Sequence, residues 1–378
     1  MKKIIIFSSV HPWNDTRIYH REAKTLQQFG YDVSLFGIDS ASFSKNELKE
    51  IHVVSLPKKG ILKRIGYWKN FYKIAKEEEA DCVHLHDPEL LILAYFIKKW
   101  TNIKVVFDMH ENFPAALQSK KIAGRKIPKW SILLFERFEK RILNQLDTVI
   151  FAEKSYKKYY QELTTKTVDI LNYPFKQKKV IEIYSQQLAT IVYAGAIHEI
   201  RGFKEMLEVA KELKGNKVEF QLVLIGEVPL HLIEYSNEFI KSNHLEDQII
   251  LTGRLDFEEL TSYYKKATLG LALLHSEPNY LESLPTKIFE YMSFGIPYVA
   301  SNFPLWEHLV NKTESGVVVD PQNSREITTV VTTLLKDKKL QVALGTNGRK
   351  AHLMEYNWDA EALKLNQLYE ELTEEKKN

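Results

Sequence analysis

Cysteine is all but absent. Cys82 stands alone among 378 residues, so the chain can build neither an internal disulfide nor a cysteine-based zinc site. A reducing compartment, the cytoplasm, is the expected setting. Long apolar runs are scarce as well: the longest (90–97) spans eight residues, against the roughly 20 that a bilayer-crossing helix needs. Met1, Lys2 and Lys3 ahead of apolar residues 4–7 imitate a secretory leader, but His11, Asn14, Asp15 and Arg17 follow at once, and the segment reads as a first β-strand. No Gly-x-Gly-x-x-Gly, Walker loop, Gly-x-Ser-x-Gly elbow or His-Glu-x-x-His helix occurs. Dehydrogenase, P-loop and hydrolase chemistries lose their usual signatures. Neither a sequence repeat nor a low-complexity tract is evident.

What is there is ordinary globular composition, 44% hydrophobic and 27% charged, at a length that suits two domains of roughly 100–200 residues. The net charge of +3 hides a division. Residues 1–175 carry 29 basic and 20 acidic side chains and the remainder 23 and 29, so the first half is +9 and the second −6.

Apolar β-branched runs alternate with longer amphipathic segments. Strands are expected at 3–9, 31–38, 52–56, 82–86, 104–109 and 148–152, and again at 190–195, 218–225, 248–252, 269–274, 297–300 and 316–319. Helices are expected at 16–29, 63–78, 88–99, 129–145, 154–162 and 357–373. The rhythm predicts an α/β fold with a doubly wound parallel-sheet domain over 1–175, a linker over 176–187 and a second such domain over 188–356. A C-terminal helix and tail, 357–378, is expected to pack back on the first domain. Open parallel sheets bind ligands beyond the carboxyl ends of their strands, so the two domains are expected to face a central cleft.

The sharpest pattern runs from Glu282 through Ser-Leu-Pro-Thr-Lys-Ile-Phe to Glu290 and on to Gly295. Pro285 suits a first helical turn and Gly295 a helix end, which places Glu282 in the preceding loop and Glu290 about one turn inside. The N–H groups of Thr286 and Lys287 then lie at a positive helix end, where a diphosphate binds. Carboxylates on either side can accept hydrogen bonds from vicinal hydroxyls of a hexose and a ribose. A second pattern, Tyr193-Ala-Gly195-Ala-Ile-His-Glu-Ile-Arg201-Gly202, falls where a strand gives way to a helix. In the first half, Asp108-Met-His110-Glu111 and His84-Leu-His86-Asp87 end apolar strands, and Asp15-Thr16-Arg17 opens a helix with Asp15 as N-cap. His84 and His86 face the same way from a strand and imitate a metal pair, but no further Cys or His cluster completes it, and no metal is expected.

The stretch from Glu282 to Glu290 resembles the Glu-x7-Glu motif of retaining glycosyltransferases with the two-domain GT-B fold, particularly family 4. The resemblance implies two Rossmann-like domains, the first for the acceptor and the second for the nucleotide-sugar donor. It makes Glu282 the donor-sugar contact, Glu290 the ribose contact, Gly195 and Arg201 parts of the donor-phosphate loop, and His110 the histidine beside the donor sugar. Arg201 and Lys287 would neutralise the leaving diphosphate, with Thr286 beside them. His110, Glu282, Arg201 and Lys287 are thus the expected catalytic set; Asp15, His86, Asp108 and Glu111 fall on the acceptor side. The family often has Gly where Pro285 stands and commonly Arg where Ala196 stands. Asp15-Thr16-Arg17 resembles a subgroup pattern in which Arg17 would supply the missing cation to the donor. The Asp-x-Asp triplet of metal-dependent, single-domain glycosyltransferases is absent.

The implied activity is metal-independent, retaining transfer of a hexosyl or N-acetylhexosaminyl group from a nucleotide-diphosphate sugar to a glycan or lipid-linked acceptor, in cell-surface polysaccharide or glycolipid synthesis. A GT-B nucleotide-sugar epimerase and a non-catalytic sugar-nucleotide-binding partner stay open beside it. Residues 58–76 hold seven Lys/Arg and no acid, interleaved with aromatics that include Trp68 and Phe71, and residues 120–129 add five more basic residues. An anionic membrane surface suits such a segment better than nucleic acid does. The plainer alternative is a helix with its aromatic side packed on the sheet.

Overall fold

The computed structural model describes residues 1–39, 51–119, 121–122, 125–177 and 188–374. Most of the linker expected at 176–187 and the last four residues of the tail lie outside the described residues. The chain divides into two compact units, Met1–Asn172 with Asp359–Asn378, and Tyr173–Trp358.

The first unit contains β1 (Lys3–Pro12), β2 (Asp32–Ile38), β3 (His52–Leu56), β4 (Cys82–Leu85), β5 (Lys104–Met109), a small hairpin of β6 (Lys121–Ile122) and β7 (Arg125–Lys126), β8 (Thr148–Phe151) and β9 (Lys166–Asp169). Its main sheet runs β3-β2-β1-β4-β5-β8-β9, with every neighbouring pair parallel. Ile4 to Phe7 and Val105 to Phe107 are buried throughout, as strands covered by helices on both faces must be. The edge strand β9 was not expected, because Lys-Thr-Val-Asp is short and polar. The helix expected at 154–162 is instead a 3-10 turn, Lys154–Lys158. Beside that turn, Tyr156 donates to the His110 carbonyl and Tyr160 to Glu139.

Helix Ile61–Glu77 corrects the reading of residues 58–76 as an outward aromatic face. Tyr67 and Phe71 are buried, Trp68 and Tyr72 pack on the same core, and Phe71 stacks on Phe7 with centroids 4.2 Å apart. Lys63, Lys69 and Lys73 are exposed, along with Ile65, Asn70 and Lys76. Helix Trp358–Thr373 belongs to the first unit from Asp359 onward: Glu361 accepts the Leu171 N–H at 2.9 Å, and the Tyr369 hydroxyl meets His84 Nδ1 at 2.8 Å.

The second unit contains β10 (Ala189–Ala194), β11 (Phe220–Ile225), β12 (Ile249–Gly253), β13 (Leu269–Ala272), β14 (Tyr298–Ser301) and β15 (Gly316–Val319). They run β12-β11-β10-β13-β14-β15, all parallel, so the strand order reverses at β10. Such a reversal opens a crevice at the carboxyl ends of the strands. Helix Thr286–Phe294 is fastened above it by Tyr291, whose hydroxyl reaches the carbonyls of Leu271 at 2.9 Å and Val192 at 3.2 Å. Gly270 makes this approach feasible, since a Cβ there would stand 2.6 Å from the Tyr291 ring.

Candidate functional site

Beyond β10 the chain turns through Gly195, and beyond β11 through Gly226. Between these turns and the start of helix Thr286–Phe294 lies a pocket of about 910 Å³. Gly195, Arg201, Thr286, Lys287 and Glu290 all line it. Gly195 has a φ of +144°, and a Cβ on it would stand 2.5 Å from Lys287 Nζ, so the ammonium rests directly over the glycine. Lys287 is 8% exposed, and its Nζ is also 5.2 Å from the centre of the Tyr193 ring. Burial lowers its pKa to about 8, with Glu290 opposing the shift and Arg201 reinforcing it.

Arg201 is half-buried over the Tyr280 ring. Burial works against its charge, but Tyr193 and Tyr280 outweigh that and hold its pKa above the ordinary value. Pro285 precedes the helix and no side chain caps its first turn, while Gly295, with φ +69°, closes the other end. Glu290 accepts the Tyr264 hydroxyl at 2.6 Å. Glu282 stands apart from this group. It is the last residue of a short helix, Pro278–Glu282, rather than part of a loop, and it is not among the pocket's lining residues. Pro278 at the first turn accounts for that unexpected helix.

In the first unit Asp15 caps helix Thr16–Ala23, accepting the N–H groups of Arg17 and Ile18 at 2.8 and 3.1 Å. The helix is wound in the wide π form, continuing as α-helix over Lys24–Gln28. Arg17 is 4% exposed. Its Nε and Nη2 meet the two Asp108 oxygens at 2.7 and 2.8 Å, and its Nη2 is 3.1 Å from Glu22. The expectation that Arg17 lends its charge to the donor is therefore corrected: the guanidinium is paired internally with Asp108 and lies against Glu22. Asp108 is wholly buried, and Arg17 and His110 hold its pKa well below the ordinary value in spite of that burial.

Asp108 also receives His110 Nε2 at 2.9 Å and lies 3.2 Å from His86 Nδ1. His86 and Asp108, expected on the acceptor side, are inside the unit, where they position His110 rather than face an acceptor. His110 is the partly exposed member, and its carbonyl accepts the Tyr156 hydroxyl at 2.8 Å. Glu111 is exposed on the turn that follows. His11 pairs with Asp87 at 2.8 Å; that contact, the Ser9 N–H and the Ser8 hydroxyl together outweigh burial and hold Asp87 at about 2.

No further Cys or His completes the cluster of His84 and His86 among the described residues, but two acids stand beside these histidines. Carboxylates of Glu22 and Asp108 join them, with one donor atom from each of the four residues within 4.8 Å of the others. All four residues are buried. Burial lowers the pKa of both histidines, to about 4 for His86, and raises that of Glu22, with Asp108 adding to the rise.

Comparison with known proteins accounts for both halves. Residues 16–169 match the family described as glycosyltransferase family 4, and residues 174–351 match glycosyl transferases group 1. The chain belongs to the group 1, family 4 type of glycosyltransferases. This glycosyltransferase is 22% identical to an uncharacterised glycosyltransferase of Methanocaldococcus jannaschii, over 98% of its own chain and 99% of the relative. Among solved structures it resembles sucrose-phosphate synthase from Thermosynechococcus elongatus, with a TM-score of 0.73, 18% identity, and 98% and 99% of the two chains covered. It resembles Anabaena HepE in complex with UDP and glucose with a TM-score of 0.71, 14% identity, and 98% and 100% covered. The fold of the glycosyltransferase is GT-B.

The sequence reading passed over Glu22, Tyr264 and Tyr280. Tyr264 and Tyr280 belong to no local pattern. Glu22 did leave a signal, for it falls on the same helical stripe as Ile18, Tyr19, Ala23 and Leu26, all of them buried. A carboxylate on an apolar stripe needs a partner inside.

Proposed function

We propose that this glycosyltransferase transfers a hexosyl or N-acetylhexosaminyl group, with retention of configuration, from a nucleotide-diphosphate sugar to a glycan or lipid-linked acceptor. The reading rests on the meeting of Lys287, Arg201 and the uncapped helix start above Gly195 in one pocket. Two cations and a positive helix end suit a diphosphate whose charge grows as the sugar C1–O bond breaks, so no metal is needed at the phosphates. Glu290, oriented by Tyr264, accepts ribose hydroxyls. Glu282 serves the sugar. The acceptor oxygen bonds to C1 on the face that the diphosphate leaves, and its proton passes to the departing phosphate oxygen, so the transfer balances without a protein base. The Anabaena structure in complex with UDP and glucose supports a nucleotide-sugar ligand for this fold.

A lipid-linked acceptor draws support from helix Lys129–Leu143. Trp130, Leu133, Leu134 and Phe138 are exposed along one of its faces, beside exposed Lys129, Arg137 and Arg141. Such a face suits an anionic bilayer surface. No helix among the described residues is long and apolar enough to cross a membrane.

The deciding experiment is a thermal-shift panel of UDP-, GDP-, ADP- and CMP-sugars. The cognate donor at about 100 times its Kd stabilises by roughly 2.7 kcal/mol, and Lys287→Ala abolishes the shift. With that donor, product NMR should report the retained anomer, and added Mg²⁺ or Mn²⁺ should leave the rate unchanged. Failure of every nucleotide sugar to stabilise the protein would overturn the reading. Conversion of the donor without any acceptor would transfer it to the epimerase class.

A further inference from the structure

We propose that the first unit holds a structural transition-metal ion, Zn²⁺ by its chemistry, on Glu22, His84 and His86. The three residues come from distant parts of the chain: Glu22 from the π-wound helix after β1, His84 from β4, and His86 from the turn that follows β4. Glu22 Oε2 is 3.8 Å from His84 Nε2 and 3.7 Å from His86 Nε2, and the two imidazole rings stack at 4.5 Å. These separations are too long for hydrogen bonds. Neither Nε2 and neither Glu22 oxygen makes a hydrogen bond among the described residues, Glu22 Oε1 having only the Arg17 ion pair, although all three side chains are at most 1% exposed. Buried polar atoms left in this state are costly, so several aimed at one point call for a shared occupant.

The outer contacts say which kind of occupant. His86 Nδ1 lies 3.2 Å from the Asp108 carboxylate and 3.0 Å from His110 Nε2; with the Nδ1 proton given to the carboxylate, which only accepts, Nε2 carries a bare lone pair. His84 Nδ1 meets the Tyr369 hydroxyl at 2.8 Å, which can accept its proton in the same way. Arg17 lies against Glu22 Oε1 at 3.1 Å, turning Oε2 toward the histidines. A cation at the centre meets the two imidazole lone pairs and the ionised Glu22 carboxylate at once, offsetting the burial that favours the protonated form of Glu22 without it. A partner on the second ring nitrogen of each ligating histidine is the usual outer shell of such a site. Two imidazoles and one carboxylate favour Zn²⁺ over Mg²⁺ or Ca²⁺, which prefer all-oxygen sets. Asp108 supplies a fourth oxygen within reach, already engaged by Arg17.

An ion there ties the helix that carries Arg17 to the end of β4, and through His86 and Asp108 it fixes the ring of His110. It is distinct from the donor phosphates, which the second unit's own cations serve.

The test is elemental analysis of the tag-free full chain after passage over a chelating resin. One equivalent of zinc per chain is expected. Incubating chelator-stripped protein with Co²⁺ should restore the ion as a visible-absorbing, four-coordinate site. Zn²⁺, but not Mg²⁺, should raise the melting temperature of the stripped protein. Glu22→Gln and His86→Gln should each lose the metal. Wild-type protein that is folded yet carries no transition metal above background, both as purified and after incubation with excess Zn²⁺, would overturn the proposal whatever the variants do. So would an undiminished zinc content in folded Glu22→Gln and His86→Gln.

Discussion

A lysine that titrates at about 8 changes its charge within the range of an ordinary binding assay. Bound diphosphate favours the ammonium, so Lys287 becomes more basic in the complex than in the free protein. Donor affinity should therefore be highest, and flat, below pH 8, and fall as pH rises above it, by up to about tenfold per pH unit. Calorimetric titration of the donor nucleotide across this range checks the sign, and Lys287→Arg should flatten the curve because a guanidinium keeps its charge. A flat wild-type profile would remove Lys287 from the phosphate site. Gly195→Ala should weaken the donor by about tenfold or more, since the new Cβ would strain a backbone at φ +144° and displace the ammonium. The residue types at this pocket were legible in the sequence; the contact of Gly195 with Lys287 was not, because it depends on how β10 and a later helix are stacked. Arg17 was misread for a related reason. A first-turn arginine looks exposed until Asp108, 91 positions later, is known to stand against it.

Strands were easier to read than helices because parallel strands buried on both faces leave unbroken β-branched runs. The exceptions are the two-residue strands β6 and β7 and the edge strand β9, which has little to bury. Helical faces were harder, as helix Ile61–Glu77 and helix Lys129–Leu143 illustrate. Both mix aromatic and basic residues, but the first turns its rings into the core and the second leaves several exposed. The buried side of helix Lys129–Leu143 carries Glu139, 1% exposed, which accepts the Tyr160 hydroxyl at 2.8 Å. Burial raises the pKa of Glu139 to about 7, against the help of Tyr160. Folding therefore favours its protonated form. That contribution is fully present below the unfolded value of 4.5 and is lost as pH rises through 7. The whole interval corresponds to about 3 kcal/mol. Glu139→Gln keeps the shape and the acceptor without the charge, so it should raise the melting temperature at pH 8 and leave it nearly unchanged at pH 4.5. Equal effects at both pH values would show that the carboxyl is not buried in its charged form.

At the scale of the whole molecule, the surplus of positive charge in the first half was plain from the sequence, but the surface that presents it with apolar side chains was not. Lys129, Trp130, Leu133, Leu134, Arg137, Phe138 and Arg141 recur at helical spacing and are all exposed. Trp130 is 69% exposed and Leu134 61%, more than scattered surface residues need be, and together they form one stripe. Laid on a bilayer, the stripe would bury its rings at the headgroup boundary, while each nearby Lys or Arg adds about 1 kcal/mol of attraction to anionic lipid. The protein should therefore co-sediment with phosphatidylglycerol vesicles at low salt, bind phosphatidylcholine vesicles weakly, and dissociate as salt shortens the screening length. Changing Trp130, Leu134 and Phe138 to Ser should abolish sedimentation without unfolding the protein, since these side chains already face water. Changing Lys63, Lys69 and Lys73 to Gln removes equally exposed charge from a helix whose rings are in the core, and should weaken binding far less. If the serine variant still sediments like wild type, or the glutamine variant alone is lost, helix Lys129–Leu143 does not dock the protein. If wild type ignores anionic vesicles altogether, the membrane surface is removed from the proposed function and the acceptor must be presented in solution.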